Sequence, residues 1–184
     1  MGCGALIASA SGLGTFAPSA FADAPPLGDL AYLRLMIAAE LLAVDFYAQA
    51  FRNIGGGYRP RARRIGAQES EHYTLLAALL TAAGQTPATA DDIDFSYPTG
   101  AFATVHSTLS FADKLEQMLV VAYVGALVNV QTPAYRKTMA QILVQDAQHQ
   151  SGLSGLQRGP LNAGSLAAPV TMAAMSDYLD KYES

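Results

Sequence analysis

Apolar residues recur at helical spacing in four long segments separated by glycine, proline and polar breaks. The first covers about residues 30–53, with Leu33, Met36, Ile37, Val44 and Phe51 on one side, and stops at Gly55-Gly56-Gly57. The second, about 60–83, opens on Pro60, which suits a first helical turn, and ends at Gly84, a natural C-terminal glycine. The third, about 110–130, opens where Ser110 and Asp113 resemble a capping arrangement. The fourth, about 133–157, follows Thr132-Pro133, an N-cap with a helix-first proline. A short fifth helix is expected over 171–182, after Pro169.

Short turns join the first segment to the second and the third to the fourth, so each pair is expected to be an antiparallel hairpin. Between the pairs lie residues 85–109, "QTPATADDIDFSYPTGAFATVHSTL", with two prolines, three acidic residues and no helical period. Such a stretch can carry the chain along a bundle from one end to the other. No strand-like alternation competes. The expected fold is all-α: a four-helix bundle of two hairpins joined by a long crossover, plus the short C-terminal helix, forming one domain over 29–184.

The polar positions inside these apolar segments repeat. Glu40 sits in "MIAAELLAVDFY"; Glu69 follows 29 residues later, with His72 three beyond it in "AQESEHY". Glu116 sits in "ADKLEQMLVVAYVGAL"; Asp146 follows 30 residues later, with His149 three beyond it in "VQDAQHQ". Tyr47 and Tyr123 each lie seven after the first glutamate of their half. Seven residues are nearly two helical turns, so each tyrosine shares a face with its glutamate. An acid and a histidine three apart are also neighbours on one face. At about 1.5 Å per residue, Glu40 and Glu69 both stand roughly 20–24 Å from their turn, and Glu116 and Asp146 stand at much the same height.

A lone E-x-x-H is ordinary on a surface helix. Matched spacing in both halves, with two of the three histidines of the chain, is not. Four carboxylates and two imidazoles inside an apolar bundle are costly when bare, because buried like charges repel and lose their solvation. Two divalent cations, neutralised by the four acids, remove that cost. Carboxylates with imidazoles and no thiolate favour iron or manganese, and zinc is compatible with the ligand types.

A Glu on one helix, E-x-x-H on the next and the same again resembles the ligand pattern of ferritin-like di-iron and di-manganese carboxylate proteins. The pieces "AELLAVDFYAQAF", "AQESEHYTLLAALL" and "LEQMLVVAYVGAL" look most like the exported bacterial, desiccation-related branch of that group. The resemblance covers about residues 29–158. It implies that Glu40 and Glu116 are terminal metal ligands, Glu69 and Asp146 bridging ligands, and His72 and His149 one imidazole per metal. It also implies a place near the metals for Tyr47 and Tyr123, where a phenol can hydrogen-bond a ligand or supply an electron. The family usually has Glu where this chain has Asp146, which is about 1.5 Å shorter in reach. Gly152 and Gly155 just beyond it would let the fourth helix approach more closely, or loosen its end.

Composition narrows the remainder. Only 14% of residues are charged and 51% are hydrophobic, so charges on apolar faces require a reason. The net charge of −4 gives no support for nucleic-acid binding. Arg52, Arg59, Arg61, Arg63 and Arg64 cluster, which reads as a solvated basic patch. Glu71 and Asp45 point off the ligand face, and His106 has no visible partner. The single cysteine, Cys3, excludes an intrachain disulfide and cysteine-built metal sites. Residues 1–28 read as a flexible apolar arm or as the end of an export signal, with "AFA" at 20–22 as an A-x-A cleavage pattern. Cys3 is a lipid acceptor only if the true start lies upstream. Export to the periplasm or cell surface is expected if residues 1–22 are a signal remnant, and a cytoplasmic location otherwise. No transmembrane span is expected in the body of the chain.

The expected function is therefore that of a non-haem dinuclear oxidoreductase, of ferroxidase or peroxide type, acting in oxidative or desiccation stress. Its reactant would be oxygen or peroxide. Its electrons would come from substrate, from Fe(II) or from a separate donor. The alternative is a structural or self-assembling, surface or stress-protective helical bundle whose metal site is vestigial or purely structural. A homo-oligomer is compatible with either; a storage cage is not expected.

Overall fold

The computed structural model describes residues 24–53, 56–158 and 168–183, so Cys3 and the "AFA" tripeptide lie outside the described residues. Its helices are α1 (Leu27–Asn53), α2 (Arg59–Ala82), α3 (Val105–Asn129), α4 (Pro133–Arg158) and α5 (Met172–Leu179), with a 3-10 turn at Gly56–Tyr58 before α2. Among the described residues there is no strand, only an isolated bridge between Phe95 and Glu183. No described helix is long and apolar enough to cross a membrane.

The apolar faces explain the packing. Leu33, Met36, Ile37, Leu42 and Phe46 of α1, Leu76 and Leu80 of α2, Leu115 and Leu119 of α3, and Met139 and Ile142 of α4 form one core. Each such side chain contributes about 1.5–3 kcal/mol when fully buried. Contacts are densest within the α1–α2 and α3–α4 hairpins; α1 also meets α3, α2 meets α4, and α5 lies on α1 and α3. At one end the Asp29 carboxylate accepts hydrogen bonds from the backbone N–H of Gln131 and of Thr132 (2.7 Å), pinning the start of α1 to the α3–α4 turn.

Gly84 ends α2 as expected: its φ of +74° is the left-handed conformation a glycine adopts freely. Its N–H bonds Thr81 O, and the Gln85 N–H bonds Leu80 O at 3.1 Å, satisfying the last carbonyls. Elsewhere the boundaries differ from the sequence reading. The third helix starts at Val105, not Ser110, because Thr104 Oγ1 accepts from Ser107 N–H while Ser107 Oγ accepts from Thr104 N–H, each at 3.0 Å. Asp113 is therefore no cap. It is buried mid-helix and accepts a hydrogen bond from Ser154 Oγ of α4. His106 falls in the exposed first turn of α3. The first helix begins at Leu27, and the fifth ends at Leu179.

The crossover is strapped to the bundle. Tyr97 Oη donates to Asp45 Oδ2 (2.8 Å), Tyr73 Oη donates to Ala88 O (3.0 Å), and Ser96 N–H donates to Tyr182 O (2.6 Å). Two glycines mark close approaches. A Cβ on Gly66 would stand 2.9 Å from Tyr47 Cβ, and one on Gly125 only 2.1 Å from Val170 O. Gly152 admits a side chain rather than a neighbouring backbone: a Cβ there would stand 3.3 Å from the Arg61 guanidinium of α2, whereas one at Gly155 would meet nothing within 4 Å.

Candidate metal centre

Helical period places the ten residues of the site at one level of the bundle. α1 supplies Glu40 and Tyr47, α2 Gln68, Glu69 and His72, α3 Glu116 and Tyr123, and α4 Gln145, Asp146 and His149. All four acids are 0% exposed, His72 is 1% and His149 7% exposed. The six expected ligands thus meet in one buried cluster; Glu71 and His106 are exposed and Asp45 serves the crossover.

Glu69 lies at the centre. Its Oε2 is 2.9 Å from Nδ1 of His72, and its Oε1 is 2.8 Å from Nδ1 of His149. Glu40 Oε2 stands 3.7 Å from the His72 nitrogen, and Glu116 Oε2 stands 3.6 Å from the His149 nitrogen. Asp146, despite its shorter side chain, reaches the middle: one oxygen, Oδ1, is 3.3 Å from His72 Nδ1 and 4.0 Å from His149 Nδ1. Two metal-sized groups of ligand atoms result, each spanning no more than 4.8 Å: Glu40, Glu69 and His72 in one, and Glu69, Glu116, Asp146 and His149 in the other. Glu69 belongs to both.

Every supporting hydrogen bond crosses from one hairpin to the other. Tyr47 Oη donates to Glu116 Oε1 (2.5 Å), and Tyr123 Oη donates to Glu40 Oε1. Gln145 Oε1 lies 3.0 Å from His72 Nε2, and Gln68 Oε1 lies 3.0 Å from His149 Nε2. A carbonyl oxygen can only accept, so each glutamine keeps a proton on Nε2 and turns Nδ1 toward the carboxylates.

The sequence profile of the ferritin-like domain family matches residues 28–158. The chain belongs to that family. Among solved structures it is similar to the dodecameric thioferritin, a bacterioferritin-related protein of Bacteroides fragilis, at 18% identity and a TM-score of 0.59, covering 69% of this chain and 82% of that one. At that identity the likeness carries the fold. No curated protein matches the sequence.

In this ferritin-like chain the clustered acids and imidazoles shift one another's titration. Burial pushes the Glu40 carboxyl up to about 8 against the pull of His72, and burial with the nearby Glu69 pushes Glu116 up to about 7. Asp146 is raised well above the usual range by burial and by the three surrounding glutamates. Burial acts on Glu69 in the same sense, but hydrogen bonds from His149 and His72 win and bring it down to about 2. Burial disfavours both imidazolium ions, yet the facing carboxylates raise His72 to about 12 and His149 to about 9.

The donor set fits two cations. Glu40 Oε2, Glu116 Oε2 and both Asp146 oxygens are buried and make no well-aimed hydrogen bond. Leaving one such atom unsatisfied costs about 1–3 kcal/mol, as much as one fully buried leucine contributes, and four converge here. The oxygen-rich set with two Nδ1 atoms and no sulfur suits iron or manganese.

Gln68 and Gln145 are absent from the sequence reading. The signal was there: each stands immediately before the acid of its motif, in Q-E-x-x-H and Q-D-x-x-H.

Proposed function

We propose that this chain holds a dinuclear non-haem metal centre, iron preferred over manganese, and acts as an oxidoreductase of ferroxidase or peroxide-consuming type. The observation that carries this reading is Glu69, whose two oxygens each face one histidine. Glu40 with His72 would hold one ion and Glu116 with His149 the other. Glu69, common to both groups, would serve both ions, and Asp146 would add a carboxylate beside them. Such ions supply the redox chemistry by which oxygen or peroxide is reduced.

The protein's own part is to position and to exclude water. Tyr47 and Tyr123 hold one oxygen of each terminal glutamate, turning the other toward the cluster. Burial and the facing carboxylates push both phenols well above their usual range, so they remain neutral donors. Their supported role is positioning. Electrons would come from Fe(II) as substrate or from a separate donor.

A stress role and export rest on the likeness of sequence pieces to the desiccation-related branch and on the "AFA" tripeptide. The dodecamer of the Bacteroides relative supports a homo-oligomer here. The activity is tested by adding Fe(II) aerobically to the metal-free chain and following ferric absorbance. Rapid oxidation in the wild type and its loss in Glu69→Ala support the reading; equal rates in both overturn it.

A further inference from the structure

One face of the cluster is less covered than the rest. Outside His149, between α2 and α4, lies a cleft lined by Arg61, Arg64, Ile65, Gln68, Gln148 and Gly152, with a volume of about 210 Å³. At about 30 Å³ per water, it has room for a small ion with several waters. It falls below the roughly 300–1,000 Å³ of pockets that take drug-sized ligands.

Its chemistry is one-sided. Two guanidinium groups and two carboxamides line it, and no carboxylate does, in a chain whose net charge is −4. Among the described residues neither arginine is ion-paired. Arg61 is nonetheless held in place: its Nη1 donates to Gly152 O at 3.1 Å. A Cβ on residue 152 would come 3.3 Å from Arg61 Nη2, so glycine there leaves the guanidinium its seat. Gln68 is oriented as well, since its Oε1 is taken by His149 Nε2 at 3.0 Å, which leaves its NH₂ to donate into the cleft.

We propose that this cleft binds a small inorganic oxyanion on Arg61, Arg64 and the Gln68 amide, beside the His149 edge of the cluster. Planar guanidinium forks suit oxyanions, and a fixed arginine loses less freedom on binding than a mobile one.

The test titrates metal-free protein with inorganic phosphate by calorimetry. The wild type should bind, more weakly as salt rises. Arg61→Gln with Arg64→Gln should lose at least about tenfold in affinity, because two charge-assisted contacts go. Arg63→Gln, outside the cleft, should bind as the wild type does. Gly152→Ala should weaken binding only slightly and without removing any charge, because its methyl pushes the Arg61 guanidinium aside by a few tenths of an ångström. No phosphate binding in the wild type, or binding undiminished in the double variant, overturns the proposal. The metal-free chain also keeps this outcome separate from the metal centre: phosphate binding without iron binding would sink only the latter.

Discussion

Glu69 of α2 and His149 of α4, eighty positions apart in the chain, meet at 2.8 Å through Oε1 and Nδ1, while the other oxygen of Glu69 meets His72. One carboxylate is thereby common to both halves of the repeat. That sharing sets one buried cluster apart from two separate surface pairs.

The glutamines behind the histidines are expected to position them. Gln68→Leu and Gln145→Leu each remove the acceptor of an Nε2 proton and free the ring to turn. Metal affinity should fall roughly 10–100-fold in each. Gln145→Glu, which keeps an acceptor, should restore most of it. Competition against a chelator measures this, and unchanged affinity in the leucine variants would remove the glutamines from the site.

The metal-free protein should lose stability as pH rises. Glu116 and Glu40 titrate at about 7 and about 8 in the fold against 4.5 ordinarily, and Asp146 is raised too. Their stabilising protons are fully present below pH 4.5 and are lost as pH climbs through the folded values. His149, at about 9 against 6.5, adds stability below 6.5 that is lost on the way past 9. Glu69, lowered to about 2, opposes this only below pH 4.5. In the window from roughly pH 5 to 9 the folded chain therefore holds more protons than the unfolded chain, and stability declines across it. Thermal midpoints of chelator-treated protein should be lower near the top of that window than near the bottom, and metal should narrow the gap. A higher midpoint at the alkaline end contradicts the assignment.

Gly125→Ala tests the seat of α5. Its methyl would stand 2.1 Å from Val170 O, so the segment leading into α5 must move. Overpacking of this kind costs about 1–3 kcal/mol. Limited proteolysis should cut near residue 170 faster than in the wild type, with metal stoichiometry unchanged. Equal cleavage would show that the segment relaxes without leaving α3.

The clustering of the six residues was legible because a bundle turns sequence period into height: Glu40 and Glu69, and Glu116 and Asp146, are nearly equidistant from their turns. The start of α3 was not legible. Its capping box uses Ser107 where a glutamate or glutamine is usual, and Ser110 with Asp113 imitated a cap one turn and a half later. Asp45 and Arg61 were opaque for a different reason. Their partners, Tyr97 and Gly152, lie 52 and 91 positions away, and no local pattern links them. The reach of Asp146 was a question of helix placement, which spacing alone does not fix.

The most direct measurement is the metal content of the chain after anaerobic loading with Fe(II) and removal of excess. Two ions per chain in the wild type, with both lost or severely weakened in Glu69→Ala, are expected from a carboxylate shared by the two groups. No bound ion in the wild type, or a Glu69→Ala variant that keeps both, would contradict the dinuclear centre.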